Sequence, residues 1–222
     1  MKAGRLLARL AKLDSCAVSD AMDKLGLKGT VTGLAALTST RRIAGRVHTE
    51  QMVAKEKATR RAGPPVHAGV RAIEACARGE VIVVEQRSGI DAASWGGILS
   101  AAAKRKGVAG VIADGPVRDV DEARALRFPV FGRSATARTA RGRIVEEASD
   151  VPVVIGEVNV RPGDYVIADA SAVVFIPAAD ASRVIEAAEQ IAARERAMTK
   201  AIRSGKPLPE VLGAAYEHML KK

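Results

Sequence analysis

The stretch GVAGVIADGPVRDVD, residues 107–121, decides the interpretation of the whole chain. Its apolar run at 108–113 predicts a short buried strand. Residues 114–116, Asp-Gly-Pro, are turn signals that end this strand, and the residues after the stretch's Arg-Asp pair have helical composition. The sequence therefore predicts a strand, a tight loop and a helix, with Arg118 and Asp119 side by side in the loop.

This arrangement puts a guanidinium and a carboxylate at the carboxyl end of a strand, where open α/β sheets bind ligands. Arg118 would offer a planar fork to a carboxylate, and Asp119 an oxygen ligand to a divalent cation. A structural role fits the spacing equally well. Asp119 with Glu122 three residues later resembles a helix N-cap, which would leave Arg118 solvated.

A second candidate segment precedes this strand, where Gly96 and Gly97 lead into a helix predicted over 98–106. Amide groups at a helix N-terminus bind anions, and glycine lets a ligand approach the backbone closely. A glycine pair on its own commonly serves packing only. Here the following strand brings Arg118 and Asp119 to the same edge of the sheet, which favours a ligand site.

The composition indicates a single globular domain. The chain has 222 residues with 48% hydrophobic and only 3% aromatic residues, so Ala, Val, Ile and Leu build its core. No apolar run approaches the roughly 20 residues of a membrane span, and the basic N-terminus lacks a signal peptide's apolar block. Cys16 and Cys76 have no metal-type spacing, which predicts a reduced, cytoplasmic protein with both cysteines buried.

The formal net charge of +10 raises the question of nucleic acid as a partner. A basic surface attracts phosphate without sequence specificity. Here the basic residues are scattered among acids, and there are almost no aromatic residues to stack on bases. The charge pattern favours attraction of anionic metabolites over binding of nucleic acid or a membrane.

The pattern of elements predicts an α/β fold in which helices flank a β-rich middle of mixed parallel and antiparallel sheets. Helices are predicted at 4–12, 17–25, 67–77, 98–106, 120–126 and 179–203, followed by a terminal helix ending near 222. Strands are predicted at 43–53, 81–85, 108–113, 129–132, 153–155, 158–160, 165–169 and 172–176. Residues 54–66 are expected to form a mobile loop and 134–144 an irregular segment. With no repeat or boundary visible, 1–222 is expected to be one domain, with N-terminal helices in 1–26 and C-terminal helices in 179–222.

Four segments together resemble the RraA-like family, which includes the 4-hydroxy-4-methyl-2-oxoglutarate (HMG) aldolases, class II pyruvate aldolases. They are LDSCAVSDAMDKLG (13–26), WGGILSAAA (95–103), GVAGVIADGPVRD (107–119) and VNVRPGDYVIAD (158–169). The resemblance spans roughly residues 13 to 205. It implies a swivelling-type β/β/α domain that assembles into a homotrimer or a homohexamer.

The resemblance also implies a site and a reaction. Backbone amides would bind the substrate's carboxylate, at Gly96, Gly97, Ile98 and Leu99. Arg118 would bind the pyruvoyl oxygens, and Asp119 would hold Mg²⁺, Mn²⁺ or another divalent cation. Cleavage of HMG and decarboxylation of oxaloacetate both leave a pyruvate enolate, which a Lewis acid and a guanidinium stabilise.

The chain departs from the family at one position. Aldolases of this group usually carry an acidic residue where this chain has Gly97, so the resemblance does not identify the group that transfers the proton. In the family a glutamate from a neighbouring subunit's C-terminal helix contributes to catalysis, and Glu195 is the residue that we match to it. Asp114 and Asp121 are further candidates to reach the waters of the metal.

Two other functions stay open at this stage. RraA-like regulators bind an RNA-processing enzyme without catalysis, and they lack the complete Arg-Asp pair that this chain has. Such a regulator would tolerate Asp119→Asn. An unrelated α/β binding domain, with Asp119 as a helix cap, would show no change in stability with Mg²⁺, whereas a bound ligand stabilises by mass action.

Overall fold

The computed structural model of the chain describes residues 2–39, 41–59 and 67–213. Its helices are α1 (Lys2–Leu10), α2 (Ser15–Lys24), α3 (Val70–Ala75), α4 (Gly97–Lys106), α5 (Val120–Ala125), α6 (Ala181–Arg203) and α7 (Leu208–Val211). Its strands are β1 (Thr30–Val31), β2 (Ala35–Ala36), β3 (Ile43–Ala54), β4 (Val81–Gln86), β5 (Gly110–Val117), β6 (Val130–Ala135), β7 (Ile144–Ser149), β8 (Val153–Ile155), β9 (Val158–Val160), β10 (Tyr165–Ala168) and β11 (Val173–Ile176).

Within the described residues, nine strands form one mixed sheet in the order β1-β11-β10-β3-β4-β5-β6-β2, with β7 also paired to β3. The 12-residue strand β3 joins the two kinds of pairing. Its first part, 43–46, pairs antiparallel with β10, and 47–52 pairs parallel with β4. The sheet continues in parallel through β5 and β6. The predicted mixed α/β fold with flanking helices is therefore confirmed.

The parallel strands are buried on both faces, which explains their continuous apolar runs. In β4, Ile82 and Val84 belong to the core cluster under α3, α4 and α5. Val81 and Val83 belong to a second cluster on the opposite face, shared with β10 and β11. Alternate side chains of one strand thus join two cores, and this fixes the strand's register.

The terminal helices pack together on the antiparallel part of the sheet. Helices α1, α2 and α6 share a third apolar cluster with β10 and β11. Arg9 of α1 makes a two-pronged ion pair with Glu189 of α6, at 2.9 and 2.6 Å. Asp14 caps α2 by accepting a hydrogen bond from the Ala17 amide at 2.8 Å. None of the described helices combines the length and apolarity that a membrane crossing requires.

Several local predictions were wrong. The strand predicted to end before 114–116 continues to Val117, because β6 pairs with it beyond a register shift between Ala113 and Pro116. Such an irregularity accommodates a proline within a strand. Likewise 134–144 is not wholly irregular, since β6 runs to Ala135 and β7 begins at Ile144.

Other differences concern the ends of elements. The helix predicted at 67–77 begins only at Val70. Residues 55–57 form a 3₁₀ turn, while 60–66 of the predicted loop and 214–222 of the predicted terminal helix lie outside the described residues. Cys76 is buried as predicted, whereas Cys16 is exposed.

Candidate active site

The two candidate segments meet at the carboxyl end of β5. A bridge pairs Trp95 with Val117, and the Arg118 amide donates a hydrogen bond to the Trp95 carbonyl at 2.9 Å. These backbone contacts place the start of α4 beside the Arg118-Asp119 pair. The juxtaposition predicted from the parallel strands is thus present.

Asp119 adopts a left-handed backbone conformation with φ 55° and ψ 43°, which is uncommon for a residue other than glycine. It lies at the N-cap position of α5, yet its side chain makes no capping hydrogen bond. Its Oδ2 instead accepts from the Gly97 amide, and its Oδ1 from Nε of Arg118, each at 3.0 Å. Asp119 thus stands at the predicted N-cap position but does not cap α5 through its side chain, because the carboxylate turns toward α4.

The electrostatics keep Asp119 ionised. Partial burial on its own would raise the pKa of this carboxyl, but the Gly97 amide and the Arg118 guanidinium outweigh it, and the pKa is lowered. A carboxylate has about four lone-pair sites, so two remain after these hydrogen bonds. A single carboxylate completed by waters is a usual Mg²⁺ donor set, so the residue fits a divalent cation. No cluster of three or more His, Cys, Asp or Glu side chains suited to a metal occurs in the part of the chain that the structure describes.

A cavity of about 210 Å³ opens at this junction. All predicted site residues except Glu195 line it, namely Gly96, Gly97, Ile98, Leu99, Arg118 and Asp119. The Gly97 amide is occupied by Asp119, which leaves the amides of Ile98 and Leu99 as first-turn donors of α4 at the cavity. The cavity thus combines an anion-binding helix start, a guanidinium and an ionised carboxylate.

Comparison with known proteins identifies the family. Residues 15–175 match the model of the RraA-like family, described as Aldolase/RraA. The chain belongs to the RraA-like family.

Relatives of this RraA-like chain include named proteins. A protein of Halalkalibacterium halodurans, provisionally named 4-hydroxy-4-methyl-2-oxoglutarate aldolase, is 30% identical over 200 residues, covering 88% of each chain. Protein DlpA of Legionella pneumophila is 29% identical over 205 residues, which are 92% of this chain. The matched region is 33% of DlpA, so the chain spans about a third of that protein.

Solved structures agree with the fold. A protein of Pseudomonas syringae pv. tomato has a TM-score of 0.84 at 30% identity, covering 95% of this chain and 98% of that one. RraAS2 of Streptomyces coelicolor, titled an unusual member of the RNase ES inhibitor RraA family, has a TM-score of 0.76 at 27% identity. It covers 87% of this chain and 94% of its own. The fold is therefore that of the RraA-like proteins.

The geometry explains why glycine stands at 96 and 97 in this RraA-like chain. A Cβ at Gly96 would lie 2.9 Å from Oδ2 of Asp119. A Cβ at Gly97 would lie 3.1 Å from the Cβ of Asp119 and 3.2 Å from that of Glu122. Asp119, whose carboxylate accepts from the Gly97 amide, therefore occupies the space that a side chain at either position would need. An acid at 97 would crowd this contact and place a third carboxylate beside two others.

The remaining acidic candidates lie elsewhere in the chain. Glu195 lines a separate groove of about 580 Å³ beside α6, where burial and then the charges of Asp20 and Asp14 raise its pKa. Asp114 is buried and bonded to Arg133 at 2.6 Å, and Asp121 is exposed and pairs with Arg124 at 3.0 Å. None of these three carboxylates lines the cavity of its own chain.

Four polar residues line the cavity without having been singled out from the sequence: His67, Ser94, Thr139 and Arg141. They come from two loops and from the segment just before α4. His67 follows the charged segment that ends at residue 66, and Arg141 lies in the stretch predicted to be irregular. The only sequence signal was their residue type, because no motif or spacing links these loops to the site.

Proposed function

We propose that the chain is a divalent-metal-dependent lyase that cleaves a pyruvate-derived 2-oxo acid such as HMG and also decarboxylates oxaloacetate. The observation that carries the proposal is the Asp119 carboxylate, held between the Gly97 amide and Arg118 at 3.0 Å each within the cavity. Relatives named as HMG aldolases, at 30 to 39% identity, support this assignment.

The residues that line the cavity would bind different parts of the substrate. The amides of Ile98 and Leu99 receive the C1 carboxylate of the substrate, as helix N-termini do for anions. Arg118 uses one N–H on Asp119, and the N–H groups of its terminal nitrogens remain for the oxygens of the pyruvoyl group. A guanidinium stays charged at any physiological pH, so it stabilises the negative charge that develops on the enolate oxygen.

Asp119 would hold Mg²⁺, Mn²⁺ or another divalent cation, which supplies Lewis acidity to the 2-oxo group when it is bound. The strained backbone at Asp119 and its two hydrogen bonds fix the direction of the carboxylate. Such a preorganised ligand loses little freedom on binding the ion.

The far end of the substrate would meet a second cation. Arg141 lines the same cavity as Arg118, and HMG and oxaloacetate each carry a second carboxylate. Two guanidiniums in one small cavity favour a dianionic substrate over pyruvate itself.

We further propose that the chain acts as a cytoplasmic homotrimer or homohexamer in which Glu195 serves a neighbouring subunit's site. The support for an assembly at the cavity rim is Ile98, a residue that is 87% exposed and presents apolar surface there. A second protomer seated there would cover this apolar surface.

The test measures the release of pyruvate from HMG and from oxaloacetate by the wild-type chain and by Asp119→Asn. Each is assayed in the presence of Mg²⁺ and in the presence of EDTA. We expect metal-dependent turnover that Asp119→Asn reduces by about 10²-fold or more, since a metal ligand and charge stabiliser is lost. Asp121→Asn is the matched control, because Asp121 is exposed, pairs with Arg124 and does not line the cavity. Turnover that persists in EDTA and in Asp119→Asn would contradict the metal-dependent proposal.

The second candidate function is a non-enzymatic regulator that binds an RNA-processing enzyme. It is favoured by the likeness to RraAS2, which is described as an unusual member of the RNase ES inhibitor RraA family. A regulator would release no pyruvate from either substrate, and its binding to the partner enzyme would withstand Asp119→Asn. Measuring both activities on one preparation separates the two functions.

A further inference from the structure

His67 lies in the loop before α3 and lines the same cavity as Arg118 and Asp119. The other titratable groups among the described lining residues are fixed in one charge state. Asp119 is kept ionised by the Gly97 amide and by Arg118, and the other charged side chains of the lining are guanidiniums, a class of group that carries its charge throughout the physiological range. An imidazole is the side chain whose ordinary pKa lies closest to neutral pH. The described lining therefore contains one group suited to transfer a proton.

The hydrogen bond of the ring defines which nitrogen is free. Nδ1 of His67 lies 2.7 Å from the carbonyl oxygen of Ala68. A carbonyl can only accept, so Nδ1 carries the proton and donates it. In the neutral ring Nε2 then holds the lone pair, which makes it a base, and after protonation it is an acid.

The loop that carries His67 is packed onto the site. The Val70 amide donates to the His67 carbonyl at 3.2 Å, which closes a turn. At Gly69, which has φ 81°, a Cβ would lie 3.0 Å from Cδ1 of Leu99 and 3.3 Å from Cζ3 of Trp95. The loop therefore lies directly against the first turn of α4, whose amides belong to the proposed substrate site.

We infer that His67 is the catalytic residue that transfers the proton in aldol cleavage. Residue 97 is a glycine in this chain and cannot take that role. This inference rests on the proposed function. Nε2 takes the proton from the C4 hydroxyl of HMG while the C3–C4 bond breaks. The hydroxyl oxygen becomes the carbonyl of one pyruvate, and the bonding electrons pass to C3 and the 2-oxo group as the enolate of the second.

The same nitrogen completes the reaction. Protonated Nε2 returns the proton to C3 of the enolate, which yields the second pyruvate and restores the neutral ring. Atoms and charge balance with no other reactant, because the proton removed from oxygen is the one delivered to carbon.

Decarboxylation of oxaloacetate provides an internal control. There the C3–C4 bond breaks with loss of CO₂, and its electrons form the same enolate without removal of any hydroxyl proton. The enolate can take its final proton from water after the bond has broken. His67 is therefore required to start aldol cleavage but not to start decarboxylation.

The experiment compares both reactions in wild type, His67→Gln and His67→Ala, with melting temperatures to verify folding. We expect HMG cleavage to fall by about 10²–10⁴-fold in kcat, the usual contribution of general acid–base catalysis, while oxaloacetate decarboxylation stays close to wild type. Added imidazole should restore part of the HMG cleavage in His67→Ala, a rescue that lost packing would not permit.

Two outcomes would overturn the role of His67 and leave the lyase proposal standing. One is HMG cleavage in folded His67→Gln and His67→Ala at nearly the wild-type rate. The other is an equal loss of both reactions without rescue by imidazole, which would indicate a structural role. Absence of wild-type turnover on both substrates would instead overturn the proposed function, and this inference with it.

Discussion

Glu50 on β3 is a fully buried carboxyl whose protonation should govern the pH dependence of stability. Neither of its oxygens has a hydrogen-bond partner of normal geometry within the described residues. Burial and then the charge of Glu146 raise its pKa from 4.5 to about 8, against an opposing effect of the Gly69 amide. Glu146 itself is paired with Arg71 of α3 at 3.1 Å. Glu50 is therefore protonated in the folded chain at neutral pH.

The sign and size of the effect follow from proton linkage. Since the folded-state pKa lies above that of the unfolded chain, the folded state holds one extra proton between about pH 4.5 and pH 8. The free energy of unfolding therefore falls as the pH rises through this window, by up to about 1.4 kcal/mol per pH unit. From pH 5 to pH 8 the loss reaches about 4 kcal/mol at most, or roughly 10 °C in Tm for a chain of this length.

The assay is thermal unfolding of wild type, Glu50→Gln and the control Glu157→Gln across pH 5 to 8. Glutamine keeps the shape of a protonated carboxyl without titrating, so the Tm of Glu50→Gln should gain on wild type steadily as the pH rises. Glu157 is exposed, and its substitution should leave the difference from wild type constant. Parallel pH profiles for Glu50→Gln and wild type would refute the reasoning, because they would mean that Glu50 does not hold the extra proton.

Arg141→Ala should raise KM for HMG and oxaloacetate by about tenfold with a smaller change in kcat, since a charged hydrogen bond to the distal carboxylate is lost. The matched variant Arg138→Ala removes an exposed arginine outside the cavity and should leave KM unchanged; equal KM values in both variants would contradict the role of Arg141. Gly69→Ala should lower Tm and also slow HMG cleavage, because the new methyl group meets Leu99 at a backbone φ of 81°. The control is Gly79→Ala, because Gly79 has φ 82° and a Cβ there would meet no atom within 4 Å, so this variant has only the backbone cost. Equal effects of the two variants on HMG cleavage would argue against a role for the contact between residue 69 and Leu99.

The part of the site that could be predicted from the sequence is the part set by local pattern. A buried run followed by Arg118 and Asp119, and a glycine-led helix start at Gly96, fix the ends of β5 and α4. Parallel strands bring such ends to one edge of a sheet, so the two segments had to be neighbours. The prediction failed at residues 114–116, where pairing with β6 overrides the turn propensity of the local sequence.

The part that could not be predicted depends on tertiary position. His67 was predicted to begin a helix and Arg141 to lie in an irregular segment, and neither assignment points to the cavity. His67 lies instead in the loop before α3, which the packing of Gly69 on Leu99 holds against the site. Glu195 has the opposite difficulty. Its helix was predicted well, but Glu195 lies in a groove away from the cavity of its own chain, and local sequence does not encode contacts between chains.

The glycine at 97 and the left-handed backbone of Asp119 depend on each other. The left-handed backbone of Asp119 turns its carboxylate back onto the Gly97 amide, so the Cβ of Asp119 occupies the space that a side chain at 97 would need. A chain that orients the Asp119 carboxylate in this way leaves no room for an acid at 97. If it is an aldolase, its proton then comes from a residue other than an acid at 97. His67, on a loop packed against the same helix turn, is the described residue that can supply it.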